Sequence, residues 1–336
     1  MAIIKKSYRD SLEEIRQMMS DRSVLVTGGA GFIGSHLVES LVGLGAKVIV
    51  VDNFSSGKLE NLDAALGRCK TIEGDIRDIN TFEGIGKVDI IFNEAAMPLI
   101  PSFKDPTSDL YTNAGGLLNV LETARRWDAK LIQASTGSVY GNPIRIPIRE
   151  DHPVNPISPY GVSKLAAELY CRLYVELYSM DVCCLRYFNV YGPRQIVGEE
   201  TGVIPIFVSR TLDNKTLTIF GDGRQSRDFV HVSDVVKANL LAATSKDSRG
   251  LIANIGGSGN EISILDLAYF VMKLLDKKLS IVFKAPKKGD ISRLVADISR
   301  ARSLLGYRPE VDLEEGLRDY IRYRKLQLSK SQGISL

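Results

Sequence analysis

A strand that runs directly into a glycine-rich turn and then into a helix leaves a chain few folds to choose from. Ser23–Thr27 (SVLVT) is such a strand, Gly28-Gly29-Ala30-Gly31-Phe32-Ile33-Gly34 follows it, and residues 32–44 carry a helical pattern. In this setting Gly28 makes the tight turn, Gly31 lets the backbone approach a pyrophosphate, and Gly34 permits close helix–strand packing. The N–H groups of the helix N-terminus then face the anion. The next strand, residues 47–51 (KVIVV), ends in Asp52, 18 residues beyond Gly34. A carboxylate there accepts hydrogen bonds from the adenosine ribose hydroxyls and repels a 2′-phosphate, which favours NAD. An aspartate closing a strand is by itself an ordinary turn residue, and it is the strand–loop–helix context that favours the ribose. Asp75-Ile76, behind the third strand, is compatible with a place near adenine and equally with turn chemistry.

The alternation continues through residues 71–73, 88–92 (VDIIF), a helix around 117–126, and 130–134 (KLIQA). Near-continuous apolar strands of this kind belong to a parallel sheet covered by helices on both faces, an α/β Rossmann-type doubly wound fold. Further along, CCLRYFNVYGPRQ, a helix near Val203–Leu212, LTIFGDGRQSRDFVHVSDV and APKKGDISR keep both element types but lose the strict alternation. This predicts a smaller C-terminal substrate-binding lobe interleaved with the first unit. The expected division is residues 1–21 as a helical extension, 22–186 plus about 225–256 as the NAD-binding domain, and about 187–224 plus 257–330 as the lobe. In the extension Leu12, Ile15, Met18 and Met19 recur at roughly helical spacing among charges, which predicts a packed amphipathic helix.

Tyr160-Gly-Val-Ser-Lys164 places a phenol and an ammonium four residues apart on one face of a helix begun by Ser158-Pro159. A neighbouring cation stabilises phenolate and so brings such a tyrosine toward use as a base near neutral pH. The spacing alone is not decisive, since Tyr269 and Lys273 repeat it within LDLAYFVMKLL, where an ordinary amphipathic helix explains both. What distinguishes Tyr160 is the segment ahead of it. The strand LIQA delivers Ser135-Thr136-Gly137-Ser138-Val139-Tyr140-Gly141 to the C-terminal edge of a sheet, where ligands of this architecture bind.

TGGAGFIG, Asp52, STGSVYG, Tyr160xxxLys164 and RYFNVYGPRQ, in this order, resemble the extended short-chain dehydrogenase/reductase superfamily, and within it the nucleotide-sugar epimerases and dehydratases. The similarity runs from Arg22 to about Tyr323. A helical extension like the N-terminal one occurs in some UDP-N-acetylhexosamine 4-epimerases. The resemblance implies NAD as cofactor, Tyr160 as general base, Lys164 holding the nicotinamide ribose and depressing the tyrosine pKa, and Thr136 bonding the reacting sugar hydroxyl. Around the cofactor it places Gly28, Gly31, Phe32, Ile33, Gly34, Asp52, Asn53, Asp75, Ile76, Ala95 and Ala96, with Asn113 in a supporting position. On the substrate side it places Ser138 beside Thr136, Asn189 against the pyrophosphate and Arg227 as the clamp on the phosphates. Val203, Thr218, Phe220, Asp290, Arg293 and Leu294 complete the set, with LTIFG embracing uracil and Arg293 as a second phosphate arginine. His231, in an apolar-alternating strand, is expected to serve packing.

Relatives of this pattern share a first step, oxidation of a sugar at C4, and then diverge. Dehydratases carry an Asp-Glu pair after the catalytic threonine and UDP-glucuronate decarboxylases a glutamate in that segment, whereas this chain has Gly137-Ser138. The implied outcome is return of hydride to the opposite face, inverting C4 of a UDP-hexose. Leu294 stands where a tyrosine narrows the pocket of glucose/galactose-restricted enzymes, so N-acetylated sugars are expected to be accepted. Pro98 departs from the lysine those enzymes often carry. The alternatives are a dehydratase, a decarboxylase, a net reductase of the same superfamily, or a noncatalytic NAD-binding protein.

The remaining composition narrows partners. Lysine plus arginine number 43 against 40 acids, a net +3 that points away from nucleic acid. No stretch approaches a transmembrane helix, and a soluble, cytoplasmic protein is expected. Cys69, Cys171, Cys183 and Cys184 lack CxxC spacing and the three histidines are scattered, so no metal cluster can be read and free thiols are expected. The resemblance further implies a homodimer through a four-helix bundle, with residues 166–178 apolar enough to be buried there or within the subunit.

Overall fold

The protein is described by a computed structural model over residues 13–198, 202–257, 261–286 and 291–331. Residues 1–12, with Leu12 of the expected extension, and Asp290 lie outside the described residues. The first half of the chain alternates almost without interruption. After α1 (residues 13–19) come β1 (Ser23–Thr27), α2 (Phe32–Gly43), β2 (Lys47–Asp52), β3 (Cys69–Glu73), β4 (Ile90–Asn93), α3 (Leu99–Lys104), α4 (Pro106–Leu110), α5 (Leu117–Trp127), β5 (Lys130–Thr136), α6 (Pro159–Tyr178) and β6 (Val182–Tyr187). The second half is made of shorter pieces: β7 (Val190–Tyr191), α7 (Val203–Leu212), β8 (Leu217–Phe220), β9 (Ser226–Asp228), β10 (Val230–His231), α8 (Val232–Thr244) and β11 (Ile252–Ile255), then β12 (Glu261–Ser263), α9 (Ile264–Leu274), β13 (Ile281–Lys284), β14 (Arg293–Leu294), α10 (Ser299–Leu305) and α11 (Leu313–Ser331).

Seven strands form one parallel sheet in the order β11-β6-β5-β4-β1-β2-β3. The chain leaves β1 toward β2 and β3, then returns to β4 on the other side, so the strand order reverses between β1 and β4. In open sheets of this kind ligands bind outside the C-terminal strand ends at such a reversal. Both faces are covered. One core contains Val24, Val26, Leu37, Leu41, Val235 and Ala238, the other Leu25, Ile91, Leu121, Leu131 and Ala167. Consecutive strand residues thus go to opposite cores, which is why these strands read as unbroken apolar runs.

In the N-terminal helix Ile15 and Met19 are buried in the first core, while Met18 faces outward. A third core, with Tyr191, Phe207, Leu217, Ile219, Leu267, Val271 and Leu317, belongs to the later segments. The smaller sheets join those segments, β9 pairing with β12 and β14, β13 with β8, and β10 with β7. Two details depart from the expected division. β9 lies in the region assigned to the NAD-binding domain near 225, yet it pairs with lobe strands. In α10, within the segment assigned to the lobe, Ala301 and Leu305 are buried in the first core. Among the described residues no helix is long and apolar enough to cross a membrane, no group of His, Cys, Asp and Glu is placed to hold a metal ion, and all four cysteines are unbridged.

Candidate active site

The glycine turn is fixed by backbone crowding. Gly28 has φ +66°, and a Cβ on it would stand 2.6 Å from the Ala95 nitrogen. A Cβ on Gly34 would collide with the Gly28 carbonyl oxygen. The chain therefore folds so that the first turn of α2, containing Phe32, Ile33 and Gly34, lies against the end of β1. No side chain caps that helix end and its first turn carries no acid, which suits an anionic ligand.

Asp52 is buried at the end of β2, and its two oxygens accept from Ala30 N at 2.9 Å and Phe54 N at 2.8 Å. Burial raises its pKa while those two amides lower it. Each oxygen keeps another lone pair for a hydroxyl donor. The crowded turn, the uncapped helix end and this carboxylate fit a dinucleotide. Asn53 and Asp75, expected beside it, are engaged with each other: Asn53 Nδ2 donates to Asp75 at 2.8 Å, and the Arg77 guanidinium pairs with the same carboxylate at 2.7 Å. Arg77 above all holds the Asp75 carboxyl down to about 2. Asp75 also accepts from Arg77 N, so turn chemistry accounts for it here. Ile76 is buried against Gly116. Ala95 and Ala96, half-buried, follow β4, with Ala95 packed directly against Gly28.

β5 runs two residues further than expected, because Ser135 and Thr136 pair in register with Arg186 and Tyr187 of β6. Thr136 then caps the turn Gly137–Tyr140, accepting from Ser138 N at 3.1 Å and donating to Ser138 Oγ at 3.2 Å. Helix α6 starts at Ser158, whose Oγ accepts from Gly161 N at 3.1 Å, with Pro159 at the first helical position. Thr136 is near enough to Tyr160 to act on its phenol. Lys164 is 2% exposed, donates to Ala134 O at 3.0 Å, and holds its Nζ 5.9 Å from the Tyr160 ring centre.

The expected depression of the Tyr160 pKa is not what this geometry gives. Burial pushes the phenol up to about 12, with Thr136 pulling it down and Asp109 and Glu94 pushing it further up. Burial likewise lowers Lys164 to about 8, against the attraction of Glu94 and Asp109. Asn113 lies in a π-turn, Tyr111–Gly116, a helical irregularity frequent at functional sites. Its Oδ1 accepts from Met97 N at 2.9 Å and its Nδ2 donates to Asp109 at 2.7 Å and Ser163 Oγ at 3.0 Å, tying the loop after β4 to α6.

In the lobe, pleating decides which side chains share a face. Leu217 and Ile219 of β8 are buried in the third core, so Thr218 and Phe220 lie together on the half-buried opposite face. Asn189 reaches Asp228 O at 3.3 Å, and Val203 opens α7 half-buried. In the three-stranded sheet Arg227 is level with Leu294 and Ile262, whereas Arg293 is level with Ser226. Adjacent residues of a strand point to opposite faces, so Arg293 does not join Arg227. It is held instead by Glu261 at 2.5 and 2.9 Å, and Glu261 also accepts from Ser226 Oγ. In this structure the two arginines that the sequence was expected to bring to one phosphate group lie on opposite faces of the sheet. Leu294 is buried in the first core. His231 caps α8 through Ser233.

Three groups were missed in the sequence. Glu168 and Arg186 form a buried pair at 2.6 and 2.8 Å, and Glu168 also accepts from Ser135. Removing either partner of such a pair costs about 3–5 kcal/mol. Asp109, buried, lies against Asn113 and Ser163. Glu94 directly follows β4, bonded to Tyr187 Oη at 2.8 Å. Its signal was available, for it is an acid closing an apolar strand at the C-terminal edge of the sheet, as Asp52 is.

Comparison with known proteins is consistent with this geometry. Residues 24–256 match the family described as NAD dependent epimerase/dehydratase family. A UDP-glucose 4-epimerase of Mycolicibacterium smegmatis is 39% identical over 300 residues, covering 87% of this chain and 95% of that protein. UDP-glucuronic acid decarboxylase 1 of Arabidopsis thaliana is 36% identical over 322 residues, covering 93% and 72%. The solved UDP-glucose 4-epimerase of Thermotoga maritima, with UDP-glucose, superposes with a TM-score of 0.87 at 38% identity, covering 91% of this chain and 99% of that one.

Proposed function

The chain belongs to the NAD dependent epimerase/dehydratase family, and from that premise we propose that it inverts C4 of a UDP-hexose through a transient 4-keto sugar. Bound NAD supplies the acceptor, and then the donor, of the C4 hydride. Thr136 bonds the C4 oxygen, and Tyr160, close to Thr136, takes the hydroxyl proton and later gives it back. Thr136 favours phenolate against burial, and a Lys164 ammonium nearby acts in the same direction. Asp52 takes the ribose hydroxyls, with the end of α2 against the pyrophosphate. Arg227 and Asn189 face the UDP phosphates, and Thr218 and Phe220 the base.

The observation that carries epimerisation rather than elimination is the segment after Thr136. A Cβ on Gly137 would already stand 3.2 Å from Cζ of the Phe188 ring, and Ser138 is bonded back to Thr136. That turn presents Gly137 and Ser138 and no carboxylate to promote loss of water or CO2. Incubation with UDP-glucose, UDP-galactose, UDP-GlcNAc, UDP-GalNAc and UDP-glucuronate, followed by NMR of C4, tests the reading. Inversion without net change in NADH absorbance is expected. A released 4-keto, deoxy or pentose product would refute it.

Two finer points extend the proposal. Leu294, smaller than tyrosine, leaves room for a 2-acetamido group. On α6, Leu169, Tyr170, Leu173 and Leu177 are exposed by 49, 39, 41 and 62%, while Ala167, Cys171 and Tyr174 are buried. That outward stripe suits a second copy of the chain in a homodimer, and light scattering checks it.

A further inference from the structure

Ser135 of β5, Arg186 of β6 and Asn254 of β11 stand side by side in register, one polar side chain on each of three neighbouring strands. Leu131 and Val182, four residues before Ser135 and Arg186, lie in the second core with Ala167 and Cys171 of α6, so the row faces that helix. Glu168 of α6 meets the row. Its carboxylate accepts from Arg186 Nε at 2.8 Å, from Arg186 Nη2 at 2.6 Å and from Ser135 Oγ. The remaining guanidinium nitrogen, Nη1, donates to Tyr140 Oη at 2.7 Å, and that hydroxyl donates in turn to Asn254 Oδ1 at 2.7 Å. Asn254 is fixed from its other side, Nδ2 donating to the Ile148 and Asp297 carbonyls at 2.9 and 3.2 Å. Ser135, Tyr140, Glu168, Arg186 and Asn254 are all buried.

Chain order gives this network its meaning. Ser135 immediately precedes Thr136, and Tyr140 closes the turn Gly137–Tyr140. Both ends of the segment that presents Thr136 and Ser138 are therefore bonded to one carboxylate–guanidinium pair. On α6, Tyr160, Lys164 and Glu168 follow one another at intervals of four residues and share a face of the helix. The pair thus ties the turn that carries Thr136 to the helix that carries Tyr160. Stability is a poor explanation for it, because apolar residues of like volume often serve a core as well as a buried ion pair. What apolar residues could not do is bond two hydroxyls from the two ends of a turn.

We propose that Glu168 and Arg186 are positioning residues for the reaction: acting through Ser135 and Tyr140, they hold the Thr136 hydroxyl at its working distance from Tyr160. The proposal rests on the reading of Thr136 as the group that bonds the sugar C4 oxygen. Since the hydroxyls of Ser135 and Tyr140 are turned into the network, removing either leaves Thr136, Tyr160 and Lys164 chemically intact and changes only where they stand. Misplacing a reacting group by about 1 Å costs up to roughly a hundredfold in rate, so losing one of two anchors should cost about tenfold.

Tyr140→Phe and Ser135→Ala each remove one anchor and keep both members of the ion pair. In the holoenzyme, with rates expressed per NAD-loaded subunit, each should lower kcat about tenfold and leave KM for the UDP-sugar within about twofold. The same two changes are then made in a Thr136→Ala background. There neither should lower kcat by more than about a further twofold, because a hydroxyl that is absent cannot be misplaced. A merely structural role would lower kcat by the same factor in both backgrounds. That result, or an unchanged kcat in either single variant, overturns the proposal. An unchanged kcat in Thr136→Ala alone overturns instead the reading of Thr136 on which it stands. Ser135→Ala deletes a single buried oxygen and keeps the test decisive should Tyr140→Phe fail to fold.

Discussion

The glycine turn between β1 and α2 and the three-stranded sheet β9-β12-β14 belong to opposite ends of the proposed complex, and they are built by different means. At the turn the backbone decides: Gly28 and Gly34 have no room for a Cβ, and the ligand surface is made of main-chain groups. In the small sheet the pleat decides, sending Arg227 to one face and Arg293 to the other although each is only a cation on a short strand. Main-chain sites announce themselves as residue types that only one geometry tolerates. Side-chain sites depend on register, which a sequence shows poorly when strands are two or three residues long.

The largest effect should come from the residues between these two ends. Tyr160→Phe keeps the ring and removes the hydroxyl on which Thr136 acts, so kcat should fall by about a thousandfold or more while NAD remains bound. An unaffected rate, measured by NMR of the sugar product, would defeat the mechanism. The turn should respond next. Gly34→Ala sets a methyl against a main-chain carbonyl that cannot move away as a flexible side chain would. A loss of about 1–3 kcal/mol of stability, with NAD no longer retained through gel filtration, is expected.

The lobe should answer differently, in KM and not in folding. Arg227→Ala removes the cation from the proposed phosphate face, and KM for the UDP-sugar should rise by roughly tenfold or more with little change in melting temperature. Leu294→Tyr adds bulk at the sugar. Relative kcat/KM for UDP-GlcNAc over UDP-glucose should drop by about tenfold, the scale on which a pocket rejects modest bulk. Equal losses on both sugars would mean that Leu294 acts through the first core, in which it is buried, and not through the pocket.

The same contrast explains what could be read in advance. Ser23–Thr27 and Val203–Leu212 are found where the periodicity puts them, because apolar runs and glycine turns are local signals. Asp52, Thr136, Tyr160 and Lys164 stood out by type and order. Three features needed tertiary structure. The pKa of Tyr160 goes up because burial outweighs the pull of Thr136. Asp75 is occupied by Arg77 and Asn53. Glu168 meets Arg186 across two elements. Burial and partners at long sequence separation leave no periodic trace.

Arg293 gives the smallest expected effect and the sharpest use of the comparison. Its side chain is 52% exposed and its guanidinium is held by Glu261. An exposed pair of that kind is worth under about 1 kcal/mol, and nothing in the register brings it to the face that carries Arg227. Arg293→Ala should therefore leave KM for the UDP-sugar within about twofold, since that difference is smaller than one lost charge-assisted hydrogen bond would produce. Glu261→Gln should be equally mild. Initial rates over a range of UDP-sugar concentrations decide the point. If Arg293→Ala raised KM as Arg227→Ala does, the arginine would have to leave Glu261 and cross the sheet edge on binding, and the pleat would no longer separate the two cations.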